Sequence, residues 1–154
     1  MYYCIVCNRY IIANKVLAAG GNVIGVIPQF LMDLEVGHKG LTAMHVTENM
    51  HQRKMKMCEL SDGFIALPGG FGTLDELFEI LTWSQLGLHE APIGLLNTNG
   101  FFDPLLAMVE VMVKEGFLKK ENQALIIVDT DIESLVLKMK SNERPQAMKW
   151  LGKS

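Results

Sequence analysis

The sequence has no apolar run approaching the roughly 20 residues that span a bilayer, and its start lacks the basic-then-apolar order of a secretory signal. The chain is therefore expected to act in the cytoplasm, with no membrane partner. Cysteine is scarce as well: three residues, an odd number, argue against a disulfide scaffold and fit a reducing compartment. Cys4 and Cys7 make a CxxC, but no second pair accompanies it, so they read as ordinary thiols in a strand-like segment rather than a metal or redox pair. Positive charge is not concentrated anywhere. The formal net charge is -3, without a basic run or a regular interleaving of basic and aromatic residues, which leaves little for a nucleic acid to bind.

What the chain does contain is apolar material, 49% of 154 residues, enough for one compact domain with a sizeable core. A single nucleotide-binding α/β domain over residues 1–154 is expected, with 143–154 as a polar tail. The stretch that organises it is GFIALPGGFGTLDELFEI, residues 63–80. Phe64 to Leu67 reads as a buried strand, Pro68 to Gly72 as a tight turn, and Thr73 onward as a helix, because Thr73 and Glu76 have capping-box spacing ahead of apolar Leu77, Phe78 and Leu81. Three glycines allow close backbone approach and φ > 0, and the first N–H groups of a helix, with the positive end of its dipole, suit a phosphate. The bland alternative is a tight turn whose Glu76 only caps its helix. The loop is neither a Walker A motif, since no Lys-Ser/Thr follows Gly72, nor GxGxxG.

Around this stretch, strands and helices alternate. Met1 to Cys7 is β-prone, Ile11 to Ala19 a short helix ending at Gly20-Gly21, and Val23 to Ile27 a strand stopped by Pro28. Residues 29–47 lack clear periodicity, which in a compact domain points to a functional segment; it offers Glu35, His38 and His45, in a spacing that announces no metal site. A helix follows from Thr47 or Glu48 to Leu60, with Arg53 on the same stripe as Met50, Met57 and Leu60. A guanidinium there needs a partner, and position alone leaves open whether its head reaches water, a carboxylate or a ligand. After the central helix, which ends before Gly87, Pro92 to Asn97 and Ala124 to Val128 read as strands. Asp103-Pro104 reads as N-cap and N1 of a helix closed by Gly116, and Thr130 with Glu133 as a second capping box for a helix to about Lys140. The alternation predicts an α/β fold: a Rossmann-like parallel sheet flanked by helices on both faces, with ligands beyond the carboxyl ends of its strands.

The run MHQRKMKMCELSDGFIALPGGFGTLDELFEILTWSQLGLHEAPIGLLN resembles the LOG (Lonely Guy) family of cytokinin-activating phosphoribohydrolases, proteins often labelled "lysine decarboxylase", through two motifs, MHxRK and PGGxGTxxE. The resemblance covers about Ala13 to Lys140. It implies hydrolysis of the N-glycosidic bond of a nucleoside 5'-monophosphate, a cytokinin riboside monophosphate or AMP, to free base and ribose 5-phosphate, without metal or organic cofactor. It implies Arg53 and Glu76 as catalytic residues. Substrate contacts are implied for Glu35, Met50, Lys54, Gly69, Gly70, Phe71, Gly72, Thr73, Leu74 and Asp75, and a homodimer or higher homo-oligomer as the assembly.

Members of the family normally open with a further strand, helix and strand, including a CxSS-like turn and a YGGGxxGLMG loop; here MYYCIVCNRY stands in their place. A truncated or frame-altered member is one reading, and an opening strand that substitutes for the family's own is the other. Two competing functions follow: a nucleotide-binding or carrier protein without turnover, and an incomplete protomer whose methionine-rich helices mainly serve assembly. No pyridoxal-phosphate lysine motif is identifiable, so the decarboxylase label gains nothing from the residues.

Overall fold

The computed structural model describes residues 3–6, 9–34, 38 and 40–141. The chain forms two compact units, Met1–Cys7 with Asp62–Ser154, and Asn8–Ser61. Glu35, Cys7 and the 143–154 tail lie outside the described residues.

The first unit is built on a four-stranded, all-parallel sheet in the order β1 (Tyr3–Val6), β4 (Gly63–Ala66), β5 (Ile93–Leu96), β6 (Ile126–Asp129). The opening segment thus supplies a strand of this sheet, pairing Tyr3 with Gly63 and Val6 with Ala66. Parallel neighbours require crossovers. These are α4 (Phe71–Gln85) between β4 and β5, and α5 (Asp103–Lys114) with the short α6 (Lys120–Gln123) between β5 and β6. Residues alternate between the two faces of each strand. On one face Ile65, Gly94 and Ile127 lie side by side across three strands, and α7 (Ile132–Ser141) packs there through Leu135 and Met139. Gly94 is what admits the helix so closely: a Cβ there would stand 2.6 Å from the Met139 sulfur. On the opposite face Phe64, Ala66, Ile93 and Leu95 are also buried, so both faces are covered, as the α/β reading requires.

Several helix starts differ from the spacing-based expectation. α5 has Phe102 as N-cap and Asp103 at N1, where its carboxylate instead accepts from Asn97 Nδ2 at 2.7 Å. At α7 the cap is made by Asp131, whose Oδ1 accepts the Ser134 N–H at 2.8 Å, not by Thr130. Asp129 explains the shift. Its carboxylate takes the N–H groups of Thr130 and Asp131, the Ser134 hydroxyl and Lys138 Nζ at 2.8 Å, locking the β6–α7 turn one residue further on.

Chiefly through the Lys138 contact, this network holds the Asp129 carboxyl well below the usual carboxylate range. A carboxyl whose pKa is lower folded than unfolded adds stability above its unfolded value, about 4, and that stability fades as pH falls below it. Asp129→Asn is expected to lower the melting temperature at pH 7, with the gap to wild type narrowing below about pH 4. Thermal scans from pH 3 to 7 check this, and a gap that does not depend on pH rejects it.

The second unit carries a two-stranded parallel sheet, β2 (Ile24–Pro28) with β3 (Ala43–Thr47), together with α1 (Arg9–Ala18), α2 (Gln29–Asp33) and α3 (Met50–Glu59). The segment 29–47, expected to be irregular, therefore contains a short helix and a strand. AMHVT escapes a periodicity reading because its exposed and half-buried residues do not alternate; pairing with β2 makes it a strand. α3 starts later than expected. Thr47 belongs to β3, and Asn49 is the N-cap, its side chain accepting the Gln52 N–H at 2.9 Å while Gln52 Oε1 accepts the Glu48 N–H at 3.0 Å. His38 Nε2 lies 2.9 Å from Asn14 Oδ1, tying its segment to α1.

Candidate functional site

In the first unit, β4 runs out at Ala66, and Leu67 to Gly70 carry the chain from the carboxyl edge of the sheet into α4. The helix starts three residues earlier than the capping-box reading placed it. Gly70 is the N-cap, and Thr73, at N3, sends its N–H to the Gly70 carbonyl at 3.0 Å, as Leu74 does at 3.2 Å. Thr73 and Glu76 are therefore not cap and partner. They lie on the inward stripe of α4 with Leu77, Ile80 and Ser84, at 6% and 5% exposure, so two polar side chains occupy positions that amphipathicity assigns to apolar ones.

The glycines also act differently from expectation. Gly70 has φ -91°, and neither it nor Gly72 is among the positive-φ residues, so the turn does not depend on left-handed backbone. A Cβ at Gly70 or Gly72 would meet no protein atom within 4 Å. The fold thus gives no steric reason for either glycine; the space they leave is open to a ligand. The N–H groups of Phe71 and Gly72, the first two of α4, have no acceptor among the described residues, as expected at a helix N-terminus. Together with the dipole, these donors and the open space above them favour a phosphate. Gly69 lies in the turn before them, and Leu74 and exposed Asp75 follow on the first turns of the helix.

This predicts effects of opposite sign for one substitution. Gly72→Ala is expected to stabilise the fold by about 0.5–1 kcal/mol, since alanine suits a helical position and loses less entropy on folding. The same methyl group blocks the approach to the free N–H groups and should weaken nucleotide binding at least tenfold. Calorimetric titration beside a thermal scan checks both, and a variant that is more stable and still binds normally rejects the cradle.

In the second unit the MHxRK residues stand on α3. Met50 is exposed and Lys54 half-buried, while Arg53, at 1% exposure, is the only buried residue of the helix. Its Nε donates to the Val26 carbonyl of β2 at 3.1 Å. A backbone acceptor therefore fixes the guanidinium plane, a partner that the stripe pattern could not name.

Sequence reading also passed over Asn97, which it took only as the end of a strand. It is buried at the carboxyl edge of β5. Its N–H donates to the Asp129 carbonyl at 2.8 Å, and its side chain accepts the Phe102 N–H at 2.7 Å while donating to Asp103, so it ties β6 and the start of α5 to this edge. An asparagine closing an apolar strand was the available signal. Among the described residues no group of three His, Cys, Asp or Glu could hold a metal ion, and no helix is long and apolar enough to cross a membrane.

The sequence model of the family described as "Possible lysine decarboxylase" matches residues 10–139. Curated relatives are named cytokinin riboside 5'-monophosphate phosphoribohydrolases. That of Rhodococcoides fascians is 50% identical over 131 residues, 84% of this chain and 66% of that protein. One from Oryza sativa subsp. japonica is 44% identical over 129 residues, 84% of this chain and 53% of that protein. One from Arabidopsis thaliana is 43% identical over 129 residues, 84% of this chain and 61% of that protein. The chain thus spans between about half and two thirds of the length of these relatives. With its PGGFGTLDE turn and MHQRK helix inside the matched region, the chain belongs to the LOG family.

Proposed function

We propose that this chain binds a nucleoside 5'-monophosphate, with the phosphate on the glycine turn, and hydrolyses its N-glycosidic bond to free base and ribose 5-phosphate. The observation that carries the reading is the start of α4, where unoccupied N–H donors face space left open by Gly70 and Gly72. The substrate in the relatives' names, a cytokinin riboside 5'-monophosphate, supports the substrate class.

Hydrolysis of such a bond passes through an oxocarbenium-like sugar, so the phosphate serves as a handle while charge and a water molecule are managed at the anomeric carbon. The backbone of the Gly70–Gly72 turn, through the free N–H groups of Phe71 and Gly72, and the Thr73 hydroxyl hold the phosphate, with Gly69, Leu74 and Asp75 lining the approach. The Glu76 carboxylate steadies the sugar cation and directs the water. Arg53 assists departure of the base, with Met50, Lys54 and Glu35 contributing substrate contacts. The base, once its charge is met, leaves without a metal or organic cofactor. The protein works in the cytoplasm as a homodimer or higher homo-oligomer; sizing in solution with and without AMP tests the assembly.

The functional test is incubation of the purified chain with AMP and with isopentenyladenosine monophosphate, following base and ribose 5-phosphate by chromatography beside Glu76→Ala. Release that the variant lacks is the expected result. Bound AMP without release turns the reading to a nucleotide-binding protein, and neither binding nor release rejects it.

A further inference from the structure

The turn between β5 and α5, Asn97 to Phe102, contains Asn99, the only non-glycine residue with positive φ among those described (φ 53°, ψ 29°). Asparagine tolerates that left-handed region better than most residues, and Gly100, at φ 70°, continues it. Asn99 is exposed, and with Gly100 it forms the chain's only Asn-Gly pair. Such a pair carries its own chemistry, since a glycine nitrogen, unhindered by a neighbouring side chain, attacks the carbonyl carbon of the asparagine carboxamide. Closing that ring needs the Gly100 nitrogen to turn onto the same side of the Cα–C bond as Asn99 Cβ. At ψ 29° it stands nearly opposite, so the folded turn holds the reacting atoms apart. The hold is weak. The Gly100 N–H reaches the Asn97 carbonyl only at 3.4 Å, beyond the roughly 2.7–3.2 Å of a well-formed bond.

We infer that Asn99 is a modification site: opening of this turn lets its side chain deamidate, and the isoaspartate formed undoes a clasp that holds the start of α5. The Gly100 nitrogen, having given up its proton to base, bonds to Asn99 Cγ; the Cγ–N bond of the carboxamide breaks, and ammonia leaves with a proton taken from solvent. Water then opens the cyclic imide at either carbonyl, so the net change is water consumed and ammonia released. One route leaves aspartate at position 99. The other leaves isoaspartate, in which the main chain runs through Cβ and Cγ and is one atom longer. That extra atom falls between Asn97 and Phe102, where the structure has no slack. Asn97 Oδ1 accepts the Phe102 N–H at 2.7 Å and its Nδ2 donates to Asp103 at 2.7 Å, while a Cβ on Gly100 would stand 2.5 Å from Asp103 Oδ2. Asn97 and Phe102 are both buried, so a bond lost between them is not replaced by water.

The test is incubation of the full chain and of Asn99→Gly in mildly alkaline buffer, native and in urea, with peptide mass mapping of position 99, isoaspartate labelling by a methyltransferase, and thermal scans of the native samples before and after. Glycine suits the left-handed turn and has no carboxamide to lose, so this variant keeps the fold without the reaction. Wild type should convert at position 99 before any other asparagine, roughly tenfold or more slowly when native than in urea, because only the opened fraction reacts. Aged native wild type should melt about 2–4 °C below its fresh sample, the effect of one lost buried hydrogen bond in a chain of this size, and aged Asn99→Gly should not. If the native carboxamide survives while the urea sample is fully converted, the turn does not open and the inference fails. Equal rates in the two states, a converted chain that melts unchanged, or an equal loss in both aged proteins rejects it as well.

Discussion

Glu76→Gln is expected to slow release of ribose 5-phosphate by about 10²–10⁴-fold while leaving nucleotide affinity within a few-fold of wild type. Glutamine has the same shape, so it fills the same buried place on the inward stripe of α4 without a cavity or a clash. What it lacks is the negative charge that a sugar cation needs and the basicity that takes a proton from water. The proposed phosphate contacts, on the free N–H groups at the start of α4, lie one turn earlier and are not touched by the change. Loss should therefore appear in kcat and hardly in KM, the pattern of an interaction made in the transition state. Single-turnover release with isopentenyladenosine monophosphate, beside a binding titration, separates the two. Full-rate turnover by the glutamine variant would remove Glu76 from the chemistry and leave it as a buried polar residue of the helix.

The second large effect is expected at Arg53, where stability and activity fall together. Arg53→Ala removes the largest fully buried side chain described and strips the Val26 carbonyl of its Nε donor. A hydrogen bond from a charged group contributes about 1.5–3 kcal/mol and the vacated space adds a cavity cost, so a loss near 3 kcal/mol is expected. Arg53→Lys separates the roles. It keeps a positive charge and most of the stem, so it should recover part of the stability. A single ammonium cannot reproduce a planar fork with one nitrogen committed to the β2 carbonyl, so activity at a temperature where both variants are folded should remain reduced at least tenfold. Thermal scans and rates measured at the same low temperature decide it. An alanine variant that is folded and fully active would leave Arg53 a purely structural residue, its head satisfied by the protein alone.

These two residues mark the boundary of what could be read locally. The strand, glycine turn and helix of residues 63–85 were legible because each signal is short-range: an apolar run, a cluster of turn residues, then apolar spacing of 3.6. The left-handed glycines after α1, α4 and α5, Gly20, Gly87 and Gly116, were legible for the same reason, since a helix end is a local event. Capping boxes were less secure. T-x-x-E occurs twice with the right spacing, and at neither site does the threonine cap. At α4 the glycine turn lets the helix begin at Phe71, and at α7 Asp129 and Asp131 out-compete a hydroxyl for the free N–H groups. A spacing rule records which residues could cap, while the turn that precedes them determines which one does.

The sequence by itself determined the elements with strong local patterns, the α/β class and the residues of both motifs. Only the tertiary structure decided that the opening strand pairs with β4, 60 positions away, that AMHVT is a strand, and that the guanidinium on α3 rests on a carbonyl of β2. The physical reason is that each of these is settled by a partner distant in sequence. A half-exposed five-residue segment carries no periodicity of its own, and a buried cation is stable only where a particular acceptor meets it. Composition and spacing describe one segment at a time; pairing and burial are properties of two.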